Sequence, residues 1–174
     1  CIVCDLTNNS QINKALSKIL KLFGGIDILI ANSGAAFQGS MLNVKKDILE
    51  KSLEVNFYSH HNIVQKIANI MVSQGFGGSI SLNLSKQSIN PGKDFGPYGI
   101  AKASSLFSMK QYALEFGKYN IRVNGINADR IKSGLLTDQF IKERAKARNM
   151  SANKYLNNNL LQKQVTAEDV AEVF

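Results

Sequence analysis

Ser85, Tyr98 and Lys102 are the residues of this chain whose types and spacing could carry a reaction. Tyr98 and Lys102 stand four apart in Tyr98-Gly99-Ile100-Ala101-Lys102, which on a helix puts them on one face, one turn apart. An ammonium held beside a phenol favours the phenolate, so the spacing predicts a Tyr98 pKa drawn down from the ordinary ~10 toward neutrality. A tyrosine tuned in that way serves as general acid or base. Ser85 closes an apolar run, where the end of a strand would deliver its hydroxyl to the same point. The chemistry implied is proton transfer to or from an alcohol or carbonyl oxygen.

These residues need elements to hold them. Cys1 to Asp5 reads as a strand. After an N-cap at Asn9 or Ser10, Ile12, Ala15, Leu16, Ile19 and Phe23 recur at helical spacing until Gly24-Gly25. Ile26 to Ala31 reads as a second strand, continuous in Ile and Leu as for a sheet covered on both faces. A turn at Asn32-Ser33-Gly34 follows. Helical periodicity runs from about Val44 to Ser73 with a break near Asn56, and a third strand spans Ser79 to Leu84. Past Pro91-Gly92 a helix runs from about Pro97 to Lys118, with proline in its first turn. Ile121 to Asn127 is a fourth strand, and the remainder reads as helical, with Thr166 and Asp169 at capping-box spacing. Strand alternating with helix predicts an α/β fold with a parallel sheet, one domain over 1–174.

Composition sets bounds on function. With 174 residues, 44% apolar and 20% charged, the chain has the make-up of an ordinary globular domain. No apolar run approaches the roughly 20 residues of a membrane span, so no membrane partner is expected. The formal charge of +8 raises a nucleic-acid reading, but Lys142, Arg144, Lys146 and Arg148 fall on every second residue and wrap around a helix. A solvated helix is the reading adopted, with no nucleic-acid partner. Cys1 and Cys4 have neither a second pair nor a nearby histidine, so no metal is implied. Reduced cysteines suit a cytoplasmic protein. His60 and His61, in mid-helix, read as surface or interface residues.

In their order along the chain these pieces resemble the short-chain dehydrogenase/reductase family. The matching segments are Cys4-Asp5-Leu6-Thr7; Asn32-Ser33-Gly34 at the end of Gly25-Ile26-Asp27-Ile28-Leu29-Ile30-Ala31; Asn56 in Val55-Asn56-Phe57; Ser85; Tyr98 with Lys102; and Arg122-Val123-Asn124. The resemblance implies a Rossmann fold (a doubly wound parallel sheet), NAD or NADP as cofactor, and hydride transfer with a small-molecule alcohol or carbonyl substrate. Tyr98 would be the acid or base, Lys102 would tune it and bind the nicotinamide ribose, Ser85 would hold the substrate oxygen, and Asn56 would anchor a relay water. Asp5 and Leu6 would meet the adenine, Asn32, Ser33 and Gly34 the adenosine ribose, and Ile131 and Ser133 the carboxamide. The alternative for Asn56 is to cap or kink the helix it interrupts, and for Asp5 to cap the turn after it.

The departures from the family pattern matter as much. The glycine-rich TGxxxGxG turn, the strand before it and the helix and strand after it are not in this sequence, nor is the family's last strand. The chain therefore reads as a partial Rossmann fold lacking the first two strands and the last, whose own activity and cofactor grip are in question. In the family's strand order, Cys1 to Asp5 loses its neighbours. It is expected to pair across the gap, swap with another copy, or be poorly ordered, leaving Ile26 to Ala31 as an association-prone edge. Segments around Ser81 to Gln87, Asn127 to Gly134 and Asn159 to Leu161 resemble the dehydrogenase half of bifunctional aldolase/short-chain dehydrogenases of deoxysugar catabolism. On that resemblance Lys86, Gln87, Asn90, Asp94 and Arg130 would line a polar substrate pocket; a solvated loop is the alternative for each. Family members associate through the helices matching 44–74 and 97–118, which implies a homo-oligomer, dimer or tetramer. A non-catalytic oligomerising scaffold is the competing function.

Overall fold

The computed structural model describes residues 1–131, 134 and 136–174, in two compact units, Cys1–Asn127 and Ala128–Phe174. The first unit is a parallel sheet with helices packed on it. Helix α1 (Asn9–Phe23) leads to β1 (Ile28–Ala31), then α2 (Lys46–Leu53), a five-residue π-helical turn (Glu54–Tyr58) and α3 (Ser59–Gln74). Strand β2 (Gly78–Asn83) is followed by a short 3₁₀ turn (Lys86–Ser88), α4 (Gly96–Phe116) and β3 (Ile121–Ile126). The strands lie in the order β1-β2-β3, with Ile28 beside Ser79 and Gly78 beside Ile121. All pairings are parallel, as helical crossovers require. This is the α/β, Rossmann-type sheet expected.

The core explains the helix positions. Ile12 and Leu16 of α1, Val64, Ile67 and Met71 of α3, and Tyr112 of α4 join Ile80 and Leu82 of β2 and Ile121 and Val123 of β3 in one buried cluster. Helix α1 is capped by Asn8, one residue before the expected cap, whose side chain accepts from the Ser10 and Gln11 amides. It ends where Gly24 takes a left-handed φ of 79°, a conformation only glycine adopts without cost. Gly77, at φ 86°, has no room for a side chain, because a Cβ there would collide with the Asn120 carbonyl.

Two strand expectations are corrected. Cys1 to Asp5 is not a strand and has no sheet partner among the described residues, so it does not pair across the gap. Instead Asp5 closes a turn, its carboxylate accepting from the Thr7 amide at 2.9 Å and hydroxyl at 2.8 Å. Cys4 and Leu6 pack against the core cluster from that turn. Strand β1 is not covered on both faces, since Ile28 and Ile30 are 67% and 47% exposed while Ala31 is buried.

The second unit has its own small core, Ile141, Ala145 and Tyr155, built by α5 (Asp138–Lys146) and α6 (Ala152–Leu156). Helix α7 (Ala167–Ala171) opens with the expected capping box between Thr166 and Asp169. No helix among the described residues is long and apolar enough to cross a membrane.

Candidate functional site

Ser85 sits two residues beyond β2, where it caps the 3₁₀ turn by accepting from the Gln87 amide at 3.2 Å. Tyr98, in the first turns of α4, lies near enough to Ser85 for the serine side chain to lower its pKa. Lys102, one turn further, is 3% exposed and donates from Nζ to the Asn83 carbonyl at 2.8 Å. The same Nζ lies 5.8 Å from the centre of the Tyr98 ring. The strand end and the helix thus bring all three residues together at the carboxyl edge of the sheet.

The electrostatics correct one expectation. Burial pushes the Tyr98 phenol above its ordinary value, and the Ser85 side chain only partly opposes this. Lys102 does not pull it down in the unliganded chain. Burial acts on the lysine as well, bringing it from 10.5 to about 8. Tyr98 is therefore a phenol at neutral pH and Lys102 a cation that is only moderately stable in its site.

Asn56 is fully buried in the π turn, and its side chain clasps the segment after β1. Its Nδ2 donates to the Ala35 carbonyl at 2.9 Å and the Ser52 carbonyl at 3.1 Å, and its Oδ1 accepts from the Ala35 amide at 3.1 Å. The wider turn interrupts the helical ladder, and serine hydroxyls take up carbonyls there: Ser59 donates to Val55 and Ser105 of α4 to Asn56. The break read near Asn56 is this turn. Gly34 lies against the cluster, since a Cβ there would stand 2.9 Å from Asn56 Oδ1 and 3.8 Å from Lys102 Nζ. Asn32 accepts from the Asn83 side chain at 2.7 Å, while Asn83 Oδ1 is buried with no partner.

Other expected residues fall as follows. Asp5 has the turn-capping geometry described above, and its hydrogen bonds from Thr7 hold its carboxyl below the ordinary value. Lys86 and Gln87 share the turn opened by Ser85, and Asn90 is exposed just after it, its amide donating to the Lys86 carbonyl. The Asp94 carbonyl accepts from the Gly39 amide. Arg130 belongs to the second unit, where its guanidinium donates to the Tyr155 and Asn158 carbonyls and lies over the Tyr155 ring. Ile131 also lies in that unit, and Ser133 is outside the described residues.

His60 is not the surface or interface residue that its mid-helix place suggests: it is 1% exposed, with Nε2 2.7 Å from the Ser33 carbonyl. The signal was present in its spacing, four residues after Asn56 and four before Val64 on one buried face. His61 is half-buried, its Nδ1 2.6 Å from the Tyr112 hydroxyl.

A parallel sheet with a Ser–Tyr–Lys cluster at its carboxyl edge defines a class, the Rossmann-type oxidoreductases. Comparison with known proteins agrees. The model of the family described as "Enoyl-(Acyl carrier protein) reductase" matches residues 1–174. The chain belongs to the short-chain dehydrogenase/reductase family. It is 32% identical over 123 residues to dehydrogenase/reductase SDR family member 4 of Bos taurus, covering 70% of this chain and 44% of that protein. It is 28% identical over 148 residues to L-rhamnose 1-dehydrogenase (NAD(P)(+)) of Sphingomonas sp. (strain SKA58), covering 83% and 58%. The chain thus spans about half the length of these relatives. The fold is shared with levodione reductase, at TM-score 0.89 and 22% identity, over 98% of this chain and 66% of that one. NAD+-bound xylitol dehydrogenase gives TM-score 0.88 and 20% identity, over 98% and 69%.

Proposed function

We propose that this chain is the catalytic part of an NAD- or NADP-dependent oxidoreductase that interconverts an alcohol and a carbonyl on a small hydroxylated molecule. The observation that carries the reading is the buried Ser85–Tyr98–Lys102 cluster at the carboxyl ends of parallel strands, where open α/β sheets bind their ligands. A sugar or polyol substrate is supported by the likeness to the rhamnose dehydrogenase.

When bound, the nicotinamide supplies or accepts the hydride. The residues present fit its riboside end: Lys102 is a buried cationic donor, and the orphaned Asn83 Oδ1 is an acceptor suited to a hydroxyl. Asn32, Ser33 and Gly34 would approach the adenosine ribose, and Asp5 and Leu6 the adenine. No glycine-rich turn in this sequence cradles a pyrophosphate. The 174-residue chain alone is accordingly expected to bind dinucleotide weakly or not at all and to be inactive.

The proton chemistry falls to the chain's own side chains. Ser85 and Tyr98 both present hydroxyls, so a carbonyl oxygen set between them can accept from each. As that oxygen gains charge, Tyr98 gives up its proton, and the nearby Lys102 ammonium steadies the phenolate left behind. The raised Tyr98 pKa suits this direction, because the acid form is present at neutral pH. Lys86, Gln87 and Asn90, on and just after the turn opened by Ser85, would meet the substrate's polar groups.

The deciding experiment is turnover of NAD(P)H with a panel of aldoses, ketoses and polyols by the full-length protein and its Tyr98→Phe variant. A loss of about a hundredfold or more is expected. Activity in Tyr98→Phe within a few-fold of the parent would defeat the assignment.

A homo-oligomer, dimer or tetramer, is the partner we assign. Between α3 and α4 lies a groove of about 840 Å³ beside which Phe107 and Leu114 are 70% and 77% exposed. Burial of those rings and methyls by a second copy would stabilise the assembly. An assembly with no turnover on any substrate would favour the scaffold reading instead. The two free cysteines fit a reducing compartment, and we assign the cytoplasm.

A further inference from the structure

We propose that His60 is a positioning residue: its ring N–H holds the Ser33 carbonyl and thereby fixes the turn from Asn32 to Ala35 against Asn56 and Lys102. The proposal deepens the oxidoreductase reading, on which only its kinetic arm rests.

The geometry fixes the tautomer. A carbonyl oxygen can only accept, so at 2.7 Å from Ser33 O the Nε2 atom must carry the proton. The Ser33 hydroxyl, 3.2 Å from the same nitrogen, shares that side of the ring. The lone pair is then on Nδ1, which is buried with no partner. Burial and the charge of Lys102 both oppose protonation, bringing His60 to about 4, so the ring stays neutral at working pH. A neutral donor is what the site needs, because a second cation beside Lys102 would weaken the first.

The turn is held at two points. Asn56 grips both the amide and the carbonyl of Ala35, and His60 grips Ser33 one residue before Gly34. Gly34, between the grips, is the residue that lies against Asn56 Oδ1 and Lys102 Nζ. Asn32, just before, accepts from Asn83, whose own carbonyl receives the Lys102 ammonium. With the His60 grip released, the turn would keep only its end contacts, Asn32 with Asn83 and Ala35 with Asn56, and Ser33 and Gly34 between them would be unheld. The Asn32–Asn83–Lys102 arrangement would loosen with it.

Glutamine can place a donor nitrogen near the His60 Nε2 position and alanine cannot, so His60→Gln and His60→Ala separate the grip from bulk packing. In the 174-residue chain, the His60 ring should give the ¹⁵N spectrum of one neutral Nε2–H tautomer from pH 8 down to pH 5.5. Amide exchange of Ala35 should rise about tenfold or more in His60→Ala and return to within about threefold of the parent in His60→Gln. Val64 and Ile67 amides serve as the control for global unfolding. A Nδ1–H tautomer, a protonated ring at pH 6.5, or unchanged Ala35 exchange in His60→Ala would overturn the proposal. The wild-type ring spectrum decides the matter even where His60→Ala does not fold. In the full-length enzyme, His60→Ala should raise KM for NAD(P)H about fivefold or more, with kcat changed less. A positive exchange result with unaltered KM supports the grip and counts against the nucleotide reading of the turn.

Discussion

Lys102→Met should make the chain more stable at neutral pH while removing its chemistry. The side chain is 3% exposed, and burial lowers its pKa from 10.5 to about 8. At about 1.4 kcal/mol per pH unit, that fall corresponds to roughly 3 kcal/mol of cost for holding the ammonium in the folded state. Methionine has similar length and no charge. It loses the charged hydrogen bond to the Asn83 carbonyl, worth about 1.5–3 kcal/mol, so the net gain at pH 7 is on the order of 1 kcal/mol. The sign with pH is fixed by proton counting. Between pH 8 and 10.5 the unfolded lysine keeps a proton that the folded one has released, so wild-type stability rises through this window. Below pH 8 both states hold the proton and the full cost applies. The difference between wild type and Lys102→Met should therefore move by about 3 kcal/mol in favour of wild type from pH 7 to pH 10.5. Other titrations are common to both proteins and cancel. Urea unfolding followed by circular dichroism at pH 7, 9 and 10.5 measures the difference. Parallel curves across the window, or a wild type that loses ground as pH rises, would refute the argument.

Three further outcomes are expected. Asn56→Ala strips three buried or half-buried backbone groups of their partner and should cost about 2–4 kcal/mol in urea unfolding; a loss under about 1 kcal/mol would mean that water replaces it. Gly34→Val sets a branched side chain against Asn56 Oδ1 and Lys102 Nζ, so it should abolish turnover in the full-length enzyme and also lower stability in urea unfolding, because a Cβ 2.9 Å from the buried Asn56 Oδ1 forces that clasp to shift; full activity would refute the close approach. Ile28→Lys places a charge on the uncovered face of β1 and should reduce self-association in sedimentation velocity; an unchanged distribution would clear this strand as the cause.

Local spacing made much of the site legible. The Tyr98–Lys102 interval is one helical turn wherever the helix sits, and the apolar run before Ser85 is a strand in any parallel sheet. The interruption at Asn56 was visible because hydrophobic phase is a local property. Its form, a π turn whose carbonyls are taken by Ser59 and Ser105, depends on α4 lying against it. Thr166 and Asp169 formed their capping box because both partners lie within one turn.

What depended on distant partners was not legible. A strand is half of a hydrogen-bonded pair, so Cys1 to Asp5 has the pattern of one but, with no neighbour among the described residues, closes a turn through Asp5 and Thr7 instead. The direction of the Tyr98 pKa was decided by burial, which the Tyr–Lys interval does not encode. His60 lies 27 residues from the Ser33 it holds, and only the packing of α3 on β1 joins them. The sequence by itself determined which groups could do chemistry and the class of fold that carries them, because side-chain type and period are written residue by residue. The tertiary structure decided their charge states and their supports, because desolvation and hydrogen bonding depend on what the rest of the chain brings alongside.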